Sequence, residues 1–295
     1  MGKQTDLIEG NISKALLVFA VPLLIGNLFQ QLYNTADSYV VGNFVDTNAL
    51  AAVGASASVI QMLVGFFMGL SVGAGVVIAQ YFGAGQKEKM SQAVHSALAL
   101  TVLLSVLFTV AGIALTRPLL RAIGVPQEVL PHSTLYLTIY FAGITFLLFY
   151  NMGSGILRAI GNSRDPLIYL AVASVLNVIL DVLLVCVARL GVAGVALGTM
   201  IAQAVSAYLV MRQLIRTREA YRVELKKIRF HRDMIRQILM VGLPAALQQS
   251  ITAFSNVVVQ SYINSFGTAA IAGYSTTIRI DGFLQLVLQS FNMTI

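Results

Sequence analysis

Three carboxylates sit in stretches that carry almost no other charge: Asp37, Asp181 and Asp281. Asp37 ends the run Asn27 to Asp37, NLFQQLYNTAD, inside an apolar segment from Ala15 to Val41. Asn27, Gln30, Gln31, Asn34 and Asp37/Ser38 recur every three to four residues, which puts them on one face of a helix. A carboxylate near mid-membrane costs about 2.5–3.5 kcal/mol on insertion scales, so this face must line a cavity or a protein interior. Asn177 and Asp181 stand four apart, as do Thr199 and Gln203 further on. The Asn34–Asp37 and Asn177–Asp181 pairs can offer oxygen ligands to a cation, or hydrogen bonds to a protonated acid. Burial raises a carboxylate's pKa and so readies it to take a proton near neutral pH. Uptake of a proton or sodium ion would then change the energetics of exposing the site. The bland alternative is that these aspartates tie helices together. Arg279 is close to Asp281, but residues two apart point in different directions on a helix.

The elements that hold these residues follow from composition. The chain is 57% hydrophobic and 11% charged, with a mean hydropathy of +0.81. A soluble domain carries roughly 25% charged residues, so an integral membrane protein is the class that fits. A helix needs about 20 residues to cross the hydrocarbon. That length predicts spans near 15–42, 49–81, 90–115, 132–157, 167–188, 192–214, 235–265 and 269–295. The first is too long for a signal-peptide core and reads as a retained span. Pro22 lies in its first turns, where a missing hydrogen bond predicts a kink or hinge. The stretch TRPLLRAIGVPQEVLP suggests a short amphipathic helix at the outer interface.

Fifteen of the nineteen Lys and Arg fall on the side of the N-terminus, three on the other side, and Arg279 within the eighth span. The positive-inside rule therefore predicts a cytoplasmic N-terminus. The net charge of +7 gathers in the segment 212–236. Without any groove-reading motif, this is a cytoplasmic connector on anionic lipid rather than a nucleic-acid site. Cys186 is alone, so no disulfide framework exists. His95, His132 and His231 show no metal-ligand spacing. No Ser/His/Asp or Cys/His set shares a plausible depth, so an enzyme lacks its parts. No cofactor is expected beyond a coupling ion. Gly65, Gly69 and Gly73 predict close helix packing. Gly75, Gly83 and Gly85 are assigned to the same role, because they fit no phosphate-loop fingerprint.

The seventh span carries Gln248, Gln249, Thr252, Ser255, Asn256 and Gln260 as a polar stripe, with no carboxylate between Pro244 and Gly267. Shifted by 222 positions, Leu17, Pro22, Asn34 and Phe44 meet Leu239, Pro244, Asn256 and Phe266. After a one-residue gap, Thr47, Ala49 and Ala51 meet Thr268, Ala270 and Ala272. This is a parallel repeat separated by six spans. The expected fold is an all-α polytopic membrane protein: a six-helix lobe over 1–214, a basic linker over 215–234, and two helices of a second lobe over 235–295. A second lobe built like the first would have six spans, so the sequence looks truncated.

Four stretches carry a family likeness: VPLLIGNLFQQLYNTADSYVVG, LLRAIGVPQEVLPHSTLYL, GILRAIGNSRDPLIYLAVASVLNVILD and GVAGVALGTMIAQ. Together they resemble the multidrug and toxic compound extrusion (MATE) transporters, in particular the bacterial DNA-damage-inducible-F-like branch. The resemblance spans essentially the whole chain. It implies a twelve-helix inner-membrane exporter of two six-helix lobes, working by alternating access as a proton- or sodium-driven antiporter of cationic or amphiphilic drugs and metabolites. It places the ion site of the first lobe on Asp37, Asn177, Asp181 and Thr199, and the bend of the first helix at Pro22. Asn27, Gln30, Asn34, Gln203, Gln248, Thr252, Asn256 and Asp281 are the candidates to line the cavity. Some relatives use a glutamate in span seven for sodium, where this chain has Thr252 and neutral polar neighbours. The rival expectations are export of a lipid-linked or oligosaccharide precursor by a related architecture, and an inactive fragment.

Overall fold

The computed structural model describes residues 12–45 and 47–264; the side chains of Asn27, Asn34 and Asp37 lie outside what it describes. The eighth span, with Arg279 and Asp281, lies outside the described residues, as do the repeat partners beyond Asn264. Among the described residues there is no strand. Seven long helices run in order: α1 (Ile12–Phe44), α2 (Thr47–Gly83), α3 (Lys87–Ala122), α4 (Leu130–Ala159), α5 (Arg164–Asp181), α6 (Val192–Arg216) and α7 (Arg232–Asn264). Among the described residues five apolar stretches are long enough to cross a membrane: Ala49–Gly83, Lys87–Ala122, Leu130–Ala159, Arg164–Val187 and Val192–Arg216. Pro22 and Pro244 lie inside α1 and α7, at the matched positions of the repeat.

Three connections are tight for the same reason. Gly85, Gly124 and Gly161 take positive φ of 69°, 76° and 84° directly after α2, α3 and α4. After α4, the Gly161 N–H donates to Arg158 O and the Asn162 N–H to Leu157 O, both at 2.9 Å. The same pair of bonds closes α2 and α3, and this is the Schellman arrangement, in which glycine adopts the left-handed conformation without penalty. Gly85 is therefore a helix cap rather than a packing residue. A Cβ at Gly83 would likewise meet nothing within 4 Å.

Helix α4 is the centre of the bundle, touching α2, α3 and α6. Leu137, Phe141, Ile144, Leu148, Met152 and Ile156 are fully buried along it. Small residues make the close fit. The Phe141 ring lies over Gly112, Met200 over Gly143 and Val210 over Gly153, with no room for a Cβ at any of the three. Helix α7 packs antiparallel on α2, where Gly69 and Gly73 bring their backbones onto those of Ala246 and Gly242. Tyr81 donates to Gln237 Oε1 at 2.9 Å further along the same seam.

The amphipathic segment expected as a separate helix instead continues α3 to Ala122, with Pro118 inside. Pro118 has no N–H, so the Ala114 carbonyl loses its usual helical donor, and the helix runs on for only one more turn. Helix α5 also departs from regularity, since its path continues as a π-helical turn over Val182–Val187.

The linker between α6 and α7 is held down. Val223 N–H donates to Leu214 O at 2.9 Å, Glu224 N–H to His95 Nε2 at 3.0 Å, and His231 N–H to Ser96 Oγ at 3.2 Å. His95 is 2% exposed, and its Nδ1 lies 2.7 Å from Ser91 O. A carbonyl only accepts and a backbone N–H only donates, so His95 is the neutral Nδ1–H tautomer.

Candidate functional site

The polar residues of α5 and α6 meet in the packed interior. Four-residue spacing turns Asn177 and Asp181 to one side of α5, and Thr199 and Gln203 to the facing side of α6. All four are buried, Asp181 completely. Asn177 Nδ2 approaches Thr199 Oγ1 at 3.4 Å, and among the described residues Asn177 Oδ1 receives no hydrogen bond. A buried amide oxygen in that state is an acceptor in reserve, because polar groups out of water normally find a partner. Leu170, Ala173, Ser174 and Ala202 complete the narrow cleft around them.

Two features that the sequence did not reveal shape the Asp181 carboxylate. Gly198 leaves the space it occupies: a Cβ on Gly198 would stand 2.6 Å from Asp181 Oδ1. And α-helical geometry stops at Asp181, where the π turn begins. Such wide turns often accompany functional sites. Val185 of this turn is buried in one cluster with Val40 and Val41 of α1. Helix α1 thus runs along α5 and the π turn, and Asp37 belongs to this helix, one turn before Val41.

A second cleft, of about 60 Å³, opens between α1, α4 and α5. Pro22 and Gln30 line it, together with Asn151 and Arg158 of α4. It shares Leu170 and Gln203 with the first cleft, so Gln203 bridges the two. Arg158 occupies the last turn of α4. From sequence it falls among the connector residues, yet it is half-buried and faces this cleft. Arg158 is therefore a basic residue in reach of the interior.

Gln248, Thr252 and Asn256 stand exposed on α7, and Thr252 Oγ1 donates to its own helix at Gln248 O. Neither cleft includes them. Gln249 lies beside Gly65 of α2. Among the described residues no three His, Cys, Asp or Glu gather as a metal site.

The MatE family model matches residues 22–183, which hold Pro22, Asp37, Asn177 and Asp181. The "Probable multidrug resistance protein YpnP" of Bacillus subtilis is 30% identical over 96% of this chain and 63% of its own length. "Multidrug export protein MepA" of Staphylococcus aureus is 25% identical over 94% of this chain and 61% of its own. The chain thus spans less than two thirds of the length of these relatives. Among solved structures, "Crystal structure of MATE in the bent conformation" superposes with a TM-score of 0.91 at 27% identity, over 100% of this chain and 66% of that one. A Pyrococcus furiosus MOP superfamily transporter, described as having a binding pocket of reverse polarity, also gives 0.91 at 27% identity, over 100% of this chain and 65% of that one. A family model over more than half of the sequence, a shared all-helical fold and the motifs around the two aspartates agree: the chain belongs to the MatE family of multidrug and toxic compound extrusion transporters.

Proposed function

We propose that this chain supplies the first lobe and the start of the second lobe of an exporter of cationic or amphiphilic small molecules. The exporter is a proton- or sodium-coupled antiporter in a bacterial inner membrane, with the N-terminus in the cytoplasm. The lobe covers 1–214, the linker 215–234 and the second lobe begins at 235. One observation carries this reading: the Asn177–Asp181–Thr199 cluster is sealed between α5 and α6 on the side along which α1 runs. A carboxylate held there, away from water, is costly to keep charged. A proton or sodium ion offsets that cost, and a cationic substrate competes for the same negative charge. Neutralisation changes how α1 packs on α5, and α1 yields at Pro22, where a backbone hydrogen bond is absent. The names of the relatives, a multidrug export protein and a probable multidrug resistance protein, support the substrate class.

The test is ethidium efflux from cells that express the chain, with pH and sodium gradients imposed separately. Asp37→Asn and Asp181→Asn should each abolish gradient-driven efflux while the amount in the membrane stays the same. Efflux at the unmodified rate in both variants would refute the assignment. Arg158 favours a second reading, in which the carried molecule is an anionic lipid-linked or oligosaccharide precursor, because a guanidinium lines the inner cleft. Loss of precursor export in Arg158→Gln, with ethidium efflux intact, would select it.

A further inference from the structure

A cavity of about 480 Å³ opens at the basic end of the bundle, between the start of α5, the end of α6 and the linker. It shares no lining residue with either cleft described above. Its volume lies in the range of sites that enclose small ligands. Arg212 and Arg216, one turn apart on α6, bring two guanidinium groups to one wall. Both are exposed, and among the described residues the one ion pair joins Lys227 to Glu224 elsewhere.

A hydrogen-bond network between α5 and α6 orders the rest of the lining. The Asp165 carboxylate accepts from Asn162 Nδ2 at 2.7 Å and from Gln213 Nε2, and Tyr169 donates to Gln213 Oε1 at 2.9 Å. Glu219 of the linker adds a second carboxylate to the lining. Two planar forks of N–H donors suit a phosphate, which they grip bidentately. The two carboxylates disfavour a ligand that is only anionic, and the two guanidiniums disfavour one that is only cationic. A zwitterion satisfies both. On the membrane side of the cavity, Ile168 and Val172 of α5 and Tyr208 of α6 are exposed, forming a surface that acyl chains can cover.

We infer that this cavity binds the phosphoethanolamine headgroup of a phospholipid, with the phosphate on Arg212 and Arg216 and the ammonium on Glu219 and Asp165. The leaflet is the cytoplasmic one, given the orientation proposed above. Transport plays no part in the binding, so failure of the efflux test would leave this site standing, and the reverse holds too.

The purified full chain in detergent is titrated with phosphatidylethanolamine, phosphatidylcholine, phosphatidylglycerol and soluble phosphoethanolamine, and bound ligand is counted by native mass spectrometry. One phosphatidylethanolamine should bind saturably. Phosphatidylcholine should bind more weakly, because its quaternary ammonium has no N–H to donate. The double variant Arg212→Gln, Arg216→Gln should lose about tenfold in affinity or more, the scale of one charge-assisted hydrogen bond. Glu219→Gln should bring phosphatidylglycerol level with phosphatidylethanolamine. All three positions are exposed, and an unchanged Tm without lipid confirms that the variants fold. Equal binding of the three lipids, or no loss in the double variant, overturns the site. Soluble phosphoethanolamine binding as tightly as the lipid overturns the lipid as its source.

Discussion

Gly198 and Asp181 constrain each other. The glycine is there because the carboxylate fills the place of a side chain, 2.6 Å from where a Cβ would stand. Gly198→Ala must push Asp181 off its seat while changing no charge. Efflux should fall by about tenfold or more, which needs a loss of only ~1.4 kcal/mol at the site, and the membrane level should be unchanged. Wild-type efflux in this variant would mean that the position of the carboxylate is unimportant. Asn177, Asp181, Thr199 and Gln203 were legible in the sequence because polar side chains at helical spacing in an apolar run have to be sheltered. Gly198 was not, since a glycine shows no chemistry and its reason stands on the neighbouring helix. Arg158 was hidden by its place at a helix end, where an arginine reads as a connector residue.

At the scale of elements, the α2–α7 seam and the linker make opposite demands. Gly73 meets the backbone of Gly242, so Gly73→Val forces the helices apart. Overpacking of this kind costs about 1–3 kcal/mol, and Tm in detergent should drop. Gly83→Val, on the same helix but with open space around it, should leave Tm unchanged. The linker carries groups that titrate. Burial lowers the His231 pKa, with Arg229 and His95 adding to the effect. Lys227 holds Glu224 below the usual carboxylate range, chiefly by its hydrogen bond. Between the lowered His231 value and the ordinary histidine range near about 6.5, the undocked linker binds more protons than the docked one. Docking should therefore weaken as pH falls through that window. Hydrogen exchange at Glu224 and His231, corrected for intrinsic rates, should accelerate as pH falls below about 6.5. A pH-independent corrected rate would count against this.

For the molecule as a whole, orientation is the testable quantity. With Cys186 replaced by Ser, Arg189→Cys should react with an impermeant maleimide added outside intact cells. Lys226→Cys should react only after the membrane is opened. The reverse pattern would invert the topology. The order of helices was legible because hydropathy and length suffice for it. The longer α3 and the π turn were not, because tertiary packing decides them. That turn has a mechanical consequence. It stores a surplus residue at Val182–Val187, directly past the buried acid and against the valines of α1. If the coil tightened to α geometry and gave the residue back, everything beyond it would swivel by about 100°, one helical step. Asp181 would keep its place while the Val185 contact turned away from α1. The slack that would let α1 and α5 re-pack thus lies next to the group whose charge, on the proposed mechanism, calls for the change.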